Sequence, residues 1–335
     1  MILPDRVSVR QYQAVPGLQK GGSIMAKANM AVVPKKKLGK VLRSKWQLLA
    51  MFVLPLLWYI IFCYVPMYGI QLAFKDYNPR LGYLDSPFVG LRWFKQFFSS
   101  YYWKDIIWNT LSISLYSILL GFPIPIILAI IINELPGQKF KKVLQNITYI
   151  PHFISIVVLC GMLYLFLSPQ YGILNTILGV FGIGPIGFLE SSKYFKGVYV
   201  LSEVWQESGW SSIIYIAALA GIDPSLYEAA KIDGAGRFKR IWHVSLPGIT
   251  PTIVTLLILK IGQIMSIGFE KAYLLQNDLN LKSSEIISTL VYKQGILQGN
   301  IGYATAVGLM NSVINLLLII AANKFCKKFF ETSLW

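Results

Sequence analysis

The residues that most need a chemical explanation are the ionisable side chains lying inside long apolar stretches. Glu203, Gln206, Glu207 and Trp210 share one such stretch, and spacings of three, four and seven put them on one helical face. Lys260 and Gln263, three apart, occupy another. A charge at the centre of a bilayer costs about 2.5–3.5 kcal/mol on insertion scales, so such residues are functional candidates by default. Both Glu207 and Lys260 fall near the middle of their stretches. The expectation is that they face each other across a cavity between the helices, neutralising one another while offering hydrogen bonds, with Trp210 adding an apolar face beside them. Asn311 and Asn315, one turn apart, are weaker candidates for the same role and also suit interhelix hydrogen bonding.

A second set of residues lies between these two stretches, in the segment 222–251. Asp223 is placed to cap a helix that opens on Pro224, a residue favoured there because its missing N–H has no intrahelical partner anyway. Leu226, Ala229, Ala230 and Ala235 give that helix a small-residue side, and Glu228 and Asp233 fall on more polar faces. The Gly234-Ala235-Gly236 break permits a sharp turn before a second short helix bearing Arg237, Lys239 and Arg240. Pro247 is expected to end that second helix. Small side chains let a helix sit deep in a partner's groove, and Glu228 is suited to pair with a basic residue or cap backbone amides there.

Both sets must be carried by membrane spans. Of 335 residues 55% are hydrophobic and 14% charged, against about 25% charged in soluble domains, and the mean hydropathy is +0.56. A hydrocarbon core needs about 20 mostly apolar helical residues to cross it. Six segments qualify: 47–74, containing Pro55 and Pro66; 106–133, containing Pro123 and Pro125; 147–167; 198–222; 250–269; and 303–323. With the N-terminus inside, twenty of the 31 lysines and arginines fall on the inner side and ten outside, with Lys260 in a span. That asymmetry predicts a multi-pass protein of the cell membrane with both termini cytoplasmic. Residues 1–45 read as a polar cytoplasmic tail, within which Met25 or Met30 offers an alternative start. Residues 46–324 form the six-span domain with its loop 223–247, and 325–335 a short cytoplasmic tail. Trp93, Tyr101, Tyr102 and Trp103 suit an interfacial belt or contact with an external partner.

Other chemistries find little support. The formal charge of +16 is concentrated beside apolar spans, which argues for membrane orientation and against nucleic acid. Cys63, Cys160 and Cys326 form no CxxC pair, and His152 and His243 have no carboxylate or cysteine at ligand spacing, so no metal site is expected. No GxxxxGK[ST] phosphate loop occurs; the nearest approach, Gly21 to Lys27, lacks its second glycine. No hydrolysis of ATP is therefore expected of this chain, and no cofactor. An ion-coupled secondary transporter is a rival reading, but inverted repeats and uncompensated membrane carboxylates are not evident. An intramembrane enzyme lacks its constellation.

The 222–251 segment carries a more specific signal. Glu228-Ala229-Ala230, then Asp233-Gly234-Ala235, then Leu246-Pro247 resembles the EAA motif of binding-protein-dependent ABC permeases, with Val244 where that family usually has isoleucine. The resemblance implies an all-α, six-span permease of type I importer fold, whose hairpin is a coupling helix docking in a cleft of a separate ATPase. It also implies two such ATPase subunits using ATP and Mg, a second permease subunit, expected to be a related chain, and an extracytoplasmic solute-binding protein. The overall pattern is similar to permeases for oligosaccharides and polysaccharide fragments, which implies a carbohydrate solute. In maltose-type relatives the solute contacts lie on the helices flanking the coupling loop. A non-sugar solute remains the alternative.

Overall fold

The computed structural model describes residues 45–330, with side chains to Lys328. The tail expected over 1–45, apart from Lys45, and the terminal Ser333-Leu334-Trp335 lie outside the described residues. The described part is all-α, with no strand among those residues and one isolated bridge between Lys75 and Phe88. The chain divides into two compact units, one ending at Ile61 and the other starting at Phe62. Helix α1 (Trp46–Tyr59) is the first unit's described element; it carries Pro55 and buries none of its side chains. A helix apolar on all sides beyond Gln47 is one built for lipid or for other protein, not water.

Four helical runs are long and apolar enough to cross a membrane: Trp46–Phe74, Trp103–Glu134, Arg237–Ile261 and Ile301–Lys328. Two bent pairs, Gln138–Phe153 with Ile156–Phe166 and Phe195–Ala220 with Pro224–Ile232, bring the number of spans up to six if each counts as one. Within the second unit the elements used below are α2 (Trp103–Gly121), α3 (Pro123–Glu134), α4 (Gln138–Tyr149), α5 (Ile156–Phe166), α6 (Phe195–Ala220), α7 (Pro224–Ile232), α8 (Leu246–Ile261) and α9 (Ile301–Phe330).

Three expectations need correction. The span expected over 147–167 is not one straight helix: the chain bends by 95° at Ile154–Ser155. Pro151 and the Ser155 side chain, which accepts the Val158 N–H and caps α5, force the break. Pro247 does not end a helix either. Helical turns run from Arg237 to Ile261, and a π turn at Ile241–Ser245 widens the coil just before Pro247, in the first turn of α8, where its missing N–H is tolerated. Finally, the span expected to reach Phe269 unwinds after Ile261, and the chain becomes helical again only at Phe269–Leu275.

Helix α6 is the centre of the second unit, packed chiefly on α3 and α2 and also on α4 and α8. Small residues make this possible, as expected where no hydrophobic force separates protein from lipid tails. Buried Ser112, Ser114 and Ser117 on α2 and Ser202, Ser208 and Ser212 on α6 hold their faces close. At Gly209 the approach is closest: a methyl group there would overlap the Thr148 carbonyl of α4. Apolar layers above and below this belt, around Phe195, Tyr199 and Ile113 and around Tyr215, Leu219 and Ile249, lock α6 in place.

Candidate functional site

Glu203 lies half-buried on α6, facing α2 and the end of α8. Its Oε2 accepts a hydrogen bond from Ser117 at 2.8 Å, and its Oε1 stands 3.8 Å from Lys260 Nζ. Lys260 thus has Glu203, not Glu207, as its carboxylate partner. It sits in the last turn of α8, at the edge of the unwound segment, rather than in mid-helix. A pair at that distance, with side chains 46% and 29% exposed, contributes about 1 kcal/mol or less.

The unwound segment Gly262–Gly268 is what gives Lys260 its position. Irregular backbone at membrane depth survives only where protein satisfies it, and here each neighbouring helix supplies a partner. Ser114 of α2 donates to the Ile264 carbonyl. Asn315 of α9 accepts from the Met265 N–H at 3.0 Å and donates to Ser266 Oγ at 2.8 Å. Tyr199 of α6 donates to the Gly268 carbonyl at 3.2 Å. Immediately beyond, buried Lys271 donates to the Tyr199 carbonyl at 2.9 Å with its ammonium 4.7 Å from the Tyr199 ring centre. Asn315 therefore acts as interhelix glue. Asn311, a turn earlier, has its Oδ1 buried with no hydrogen-bond partner among the described residues.

One turn along α6 from Glu203, Glu207 Oε2 lies 3.0 Å from His152 Nδ1. The His152 ring stacks on Trp210, centroids 4.5 Å apart and 4° from parallel. Gln206 is buried and donates to the Ile154 carbonyl at 2.8 Å, so it secures the α4–α5 break to α6 and faces away from Lys260. The four α6 residues split by role: Glu203 towards Lys260, Glu207 and Trp210 towards His152, and Gln206 into the packing.

Two cavities meet at Lys260 and Gln263, which line both. The smaller, about 80 Å³, is walled by Ser114, Ser117 and Glu203. The larger, about 460 Å³, is walled by Trp210, Phe122, Tyr215 and Leu256. Ser117 and Lys271 are members of this polar region that residue spacing does not single out, and His152, which has no carboxylate near it in sequence, meets Glu207 through the fold. Serines three to five apart in an apolar run and a histidine next to a proline were the available signals. Lys271 lies just past the expected end of its span at residue 269, where hydropathy gives no sign of burial.

The segment after α6 forms the expected hairpin. The chain turns by 71° between Ala220 and Pro224. Asp223 accepts the Ser225 N–H at 2.9 Å, which caps α7 and holds its carboxyl below the usual carboxylate range. At the other end Gly234 adopts φ +74°, a conformation disfavoured for residues with a Cβ, and the Ala235 N–H closes back on the Ala230 carbonyl at 2.8 Å. Glu228, Ala229 and Asp233 are exposed, Ala230 and Ala235 half-buried, and Glu228 has no hydrogen-bond or ion-pair partner among the described residues. Leu246 and Pro247 lie in the first turn of α8. Large apolar side chains flank this surface: Ile232 is 87% and Phe238 88% exposed. The Tyr227 and Ser245 hydroxyls meet at 3.0 Å, tying α7 to the π turn that leads into α8. The π turn so tied leads into α8, the helix whose last turn carries Lys260.

Residues 121–330, which span α3 to α9 with the hairpin and the α6 and α8 side of the polar region, match the family described as binding-protein-dependent transport system inner membrane component. The chain belongs to this family. The permease is 42% identical to the polygalacturonan/rhamnogalacturonan transport system permease protein YteP of Bacillus subtilis, over 90% of this chain and 94% of that one. It is 40% identical to protein LplB of the same organism, over 91% and 100%. Among solved structures it is similar to a chain of a bacterial alginate ABC transporter in complex with an alginate pentasaccharide-bound periplasmic protein. The identity is 38% and the TM-score 0.82, covering 89% of the permease and all of that chain. The permease is therefore a membrane-spanning transport subunit of type I ABC importer fold.

Proposed function

We propose that this permease forms half of the translocation path of an ATP-driven importer for a carbohydrate, either an oligosaccharide or a polysaccharide fragment. The single observation that carries the reading is the alignment of two features along one rigid connection. Glu228, exposed and without a partner among the described residues, stands on a capped helix with Ala229 and Ala230. That helix is tied through Tyr227 and Ser245 to α8, whose last turn carries Lys260 into a cavity walled by Trp210. Such an arrangement suits transmission of a rigid-body motion from outside the membrane to the solute path.

In this reading the hairpin 223–247 faces the cytoplasm and docks on one of two separate ATPase subunits, which supply ATP and Mg chemistry. Glu228, Ala229, Ala230, Asp233, Gly234, Ala235, Leu246 and Pro247 make or shape the contact. A second, related permease completes the path, an extracytoplasmic binding protein delivers the solute, and the protein crosses the bacterial cell membrane several times with both termini in the cytoplasm. Glu203, Glu207, Trp210, Lys260 and Gln263 line the route, while Gln206, Asn311 and Asn315 lie beside it. The carbohydrate assignment draws support from the names of the relatives, polygalacturonan/rhamnogalacturonan and alginate transport among them.

The test is purification of the tagged permease from its membrane. It should bring an ATPase subunit with it, and Glu228→Lys should strip that subunit while leaving the permease folded. Retention of a fully active ATPase on the Glu228→Lys variant, with uptake undiminished, would refute the coupling role.

A further inference from the structure

The ammonium of Lys260 is poorly satisfied. Its nearest carboxylate oxygen is at 3.8 Å, beyond the 2.7–2.9 Å of a good charge-assisted hydrogen bond, and its three N–H donors make no hydrogen bond among the described residues. Glu203, by contrast, keeps a 2.8 Å bond from Ser117 whatever Lys260 does. Exchange of Lys260 from Glu203 to a new anion therefore leaves Glu203 hydrogen-bonded and gives Lys260 a shorter contact than it now has.

The place where such an anion would stand is the larger cavity. Lys260 lines it, as does Trp210, whose one face is covered by His152 and whose indole is 43% exposed. An aromatic wall with an available ammonium is the pairing that holds a sugar ring bearing a carboxylate: the ring's apolar face lies on the indole and the carboxylate reaches the lysine. The surrounding charge points the same way. Lys260 is the one charged residue among those lining the larger cavity; Glu203 lines only the smaller. A cavity whose charged side chain is a lysine favours an anionic solute over a neutral one.

We propose that Lys260 binds a carboxylate of the passing solute, and that Glu203 is an internal stand-in occupying Lys260 while the path is empty. The solute is then an oligosaccharide containing uronic acid. The proposal rests on the carbohydrate reading above and adds the group that is recognised and the residue that recognises it.

The experiment uses the complete importer in proteoliposomes with its binding protein. Uptake is measured for uronate trisaccharides, galacturonate and mannuronate, each beside its carboxyl-reduced neutral counterpart. Lys260→Gln should lower the ratio of acidic to neutral uptake roughly tenfold or more, the worth of a charge-assisted hydrogen bond, and Lys260→Arg should restore most of it. The double variant Glu203→Gln with Lys260→Gln leaves no unpaired carboxylate behind, and it should show the same low ratio. Recovery of the ratio in the double variant would mean that Lys260 serves only to neutralise Glu203, and would overturn the proposal. An unchanged ratio in Lys260→Gln, or a wild-type importer that prefers the neutral sugars, would overturn it while leaving carbohydrate import standing. A wild-type importer that takes up none of these sugars would overturn the carbohydrate reading and this proposal together.

Discussion

Replacing Asn315 with leucine should destabilise the permease markedly, whereas the same replacement at Asn311, one turn away on α9, should not. Asn315 accepts from the Met265 N–H and donates to Ser266 Oγ, at 3.0 and 2.8 Å. Met265 is 2% exposed, so no solvent replaces the lost acceptor. Interhelix hydrogen bonds in membrane proteins average about 0.6 kcal/mol, so the two bonds alone amount to about 1 kcal/mol. The orphaned N–H, at about 1–3 kcal/mol for a buried unsatisfied group, raises the expected loss to at least about 2 kcal/mol. That is roughly a 30-fold or larger fall in the folded-to-unfolded ratio. Asn311 Oδ1 is buried without a partner among the described residues, so leucine there removes a desolvated acceptor and should be neutral or stabilising by up to about 1 kcal/mol. The assay is equilibrium unfolding of the purified permease in mixed micelles with increasing SDS, followed by circular dichroism, with both variants measured in parallel. Equal stabilities for the two variants, or a larger loss at Asn311, would refute the claim that Asn315 specifically secures the unwound segment.

Gly209→Ala should cost about 1–3 kcal/mol, because the methyl meets the Thr148 backbone carbonyl, which cannot rotate aside; a melting temperature matching wild type would contradict the α4–α6 contact. Tyr227→Phe removes the link to Ser245 at a net cost of about 1 kcal/mol, and should lower the solute imported per ATP hydrolysed in proteoliposomes while permease abundance stays normal. The Asp223 carboxyl is held below its usual range by the Ser225 N–H, so its support of α7 is present above the unfolded-state value, roughly 3.9, and is lost as pH falls through the lower folded value. Hydrogen exchange across residues 224–228, corrected for intrinsic rates, should therefore quicken at acid pH. Asp223→Asn should flatten that dependence.

What the sequence decided by itself was the set of elements and the hairpin. Apolar runs of about 20 residues can only be satisfied as helices across a bilayer, because no other open structure pairs its own backbone groups there. The cap at Asp223, the proline at 224 and the left-handed turn at Gly234 are local chemistry, legible from residue type and spacing alone. The pairing of charges was not legible in that way. Helical periodicity put Glu203, Gln206, Glu207 and Trp210 on one face, yet that face is wide enough to look at three different neighbours. Only the tertiary structure determined that Glu203 meets Ser117 and Lys260, that Glu207 meets His152, and that Gln206 meets a backbone carbonyl. Nor could hydropathy locate the break after Ile261, since Gly262–Gly268 is apolar enough to continue the span. The helix stops there because Ser114, Tyr199 and Asn315, distant in sequence, satisfy the backbone groups that unwinding exposes.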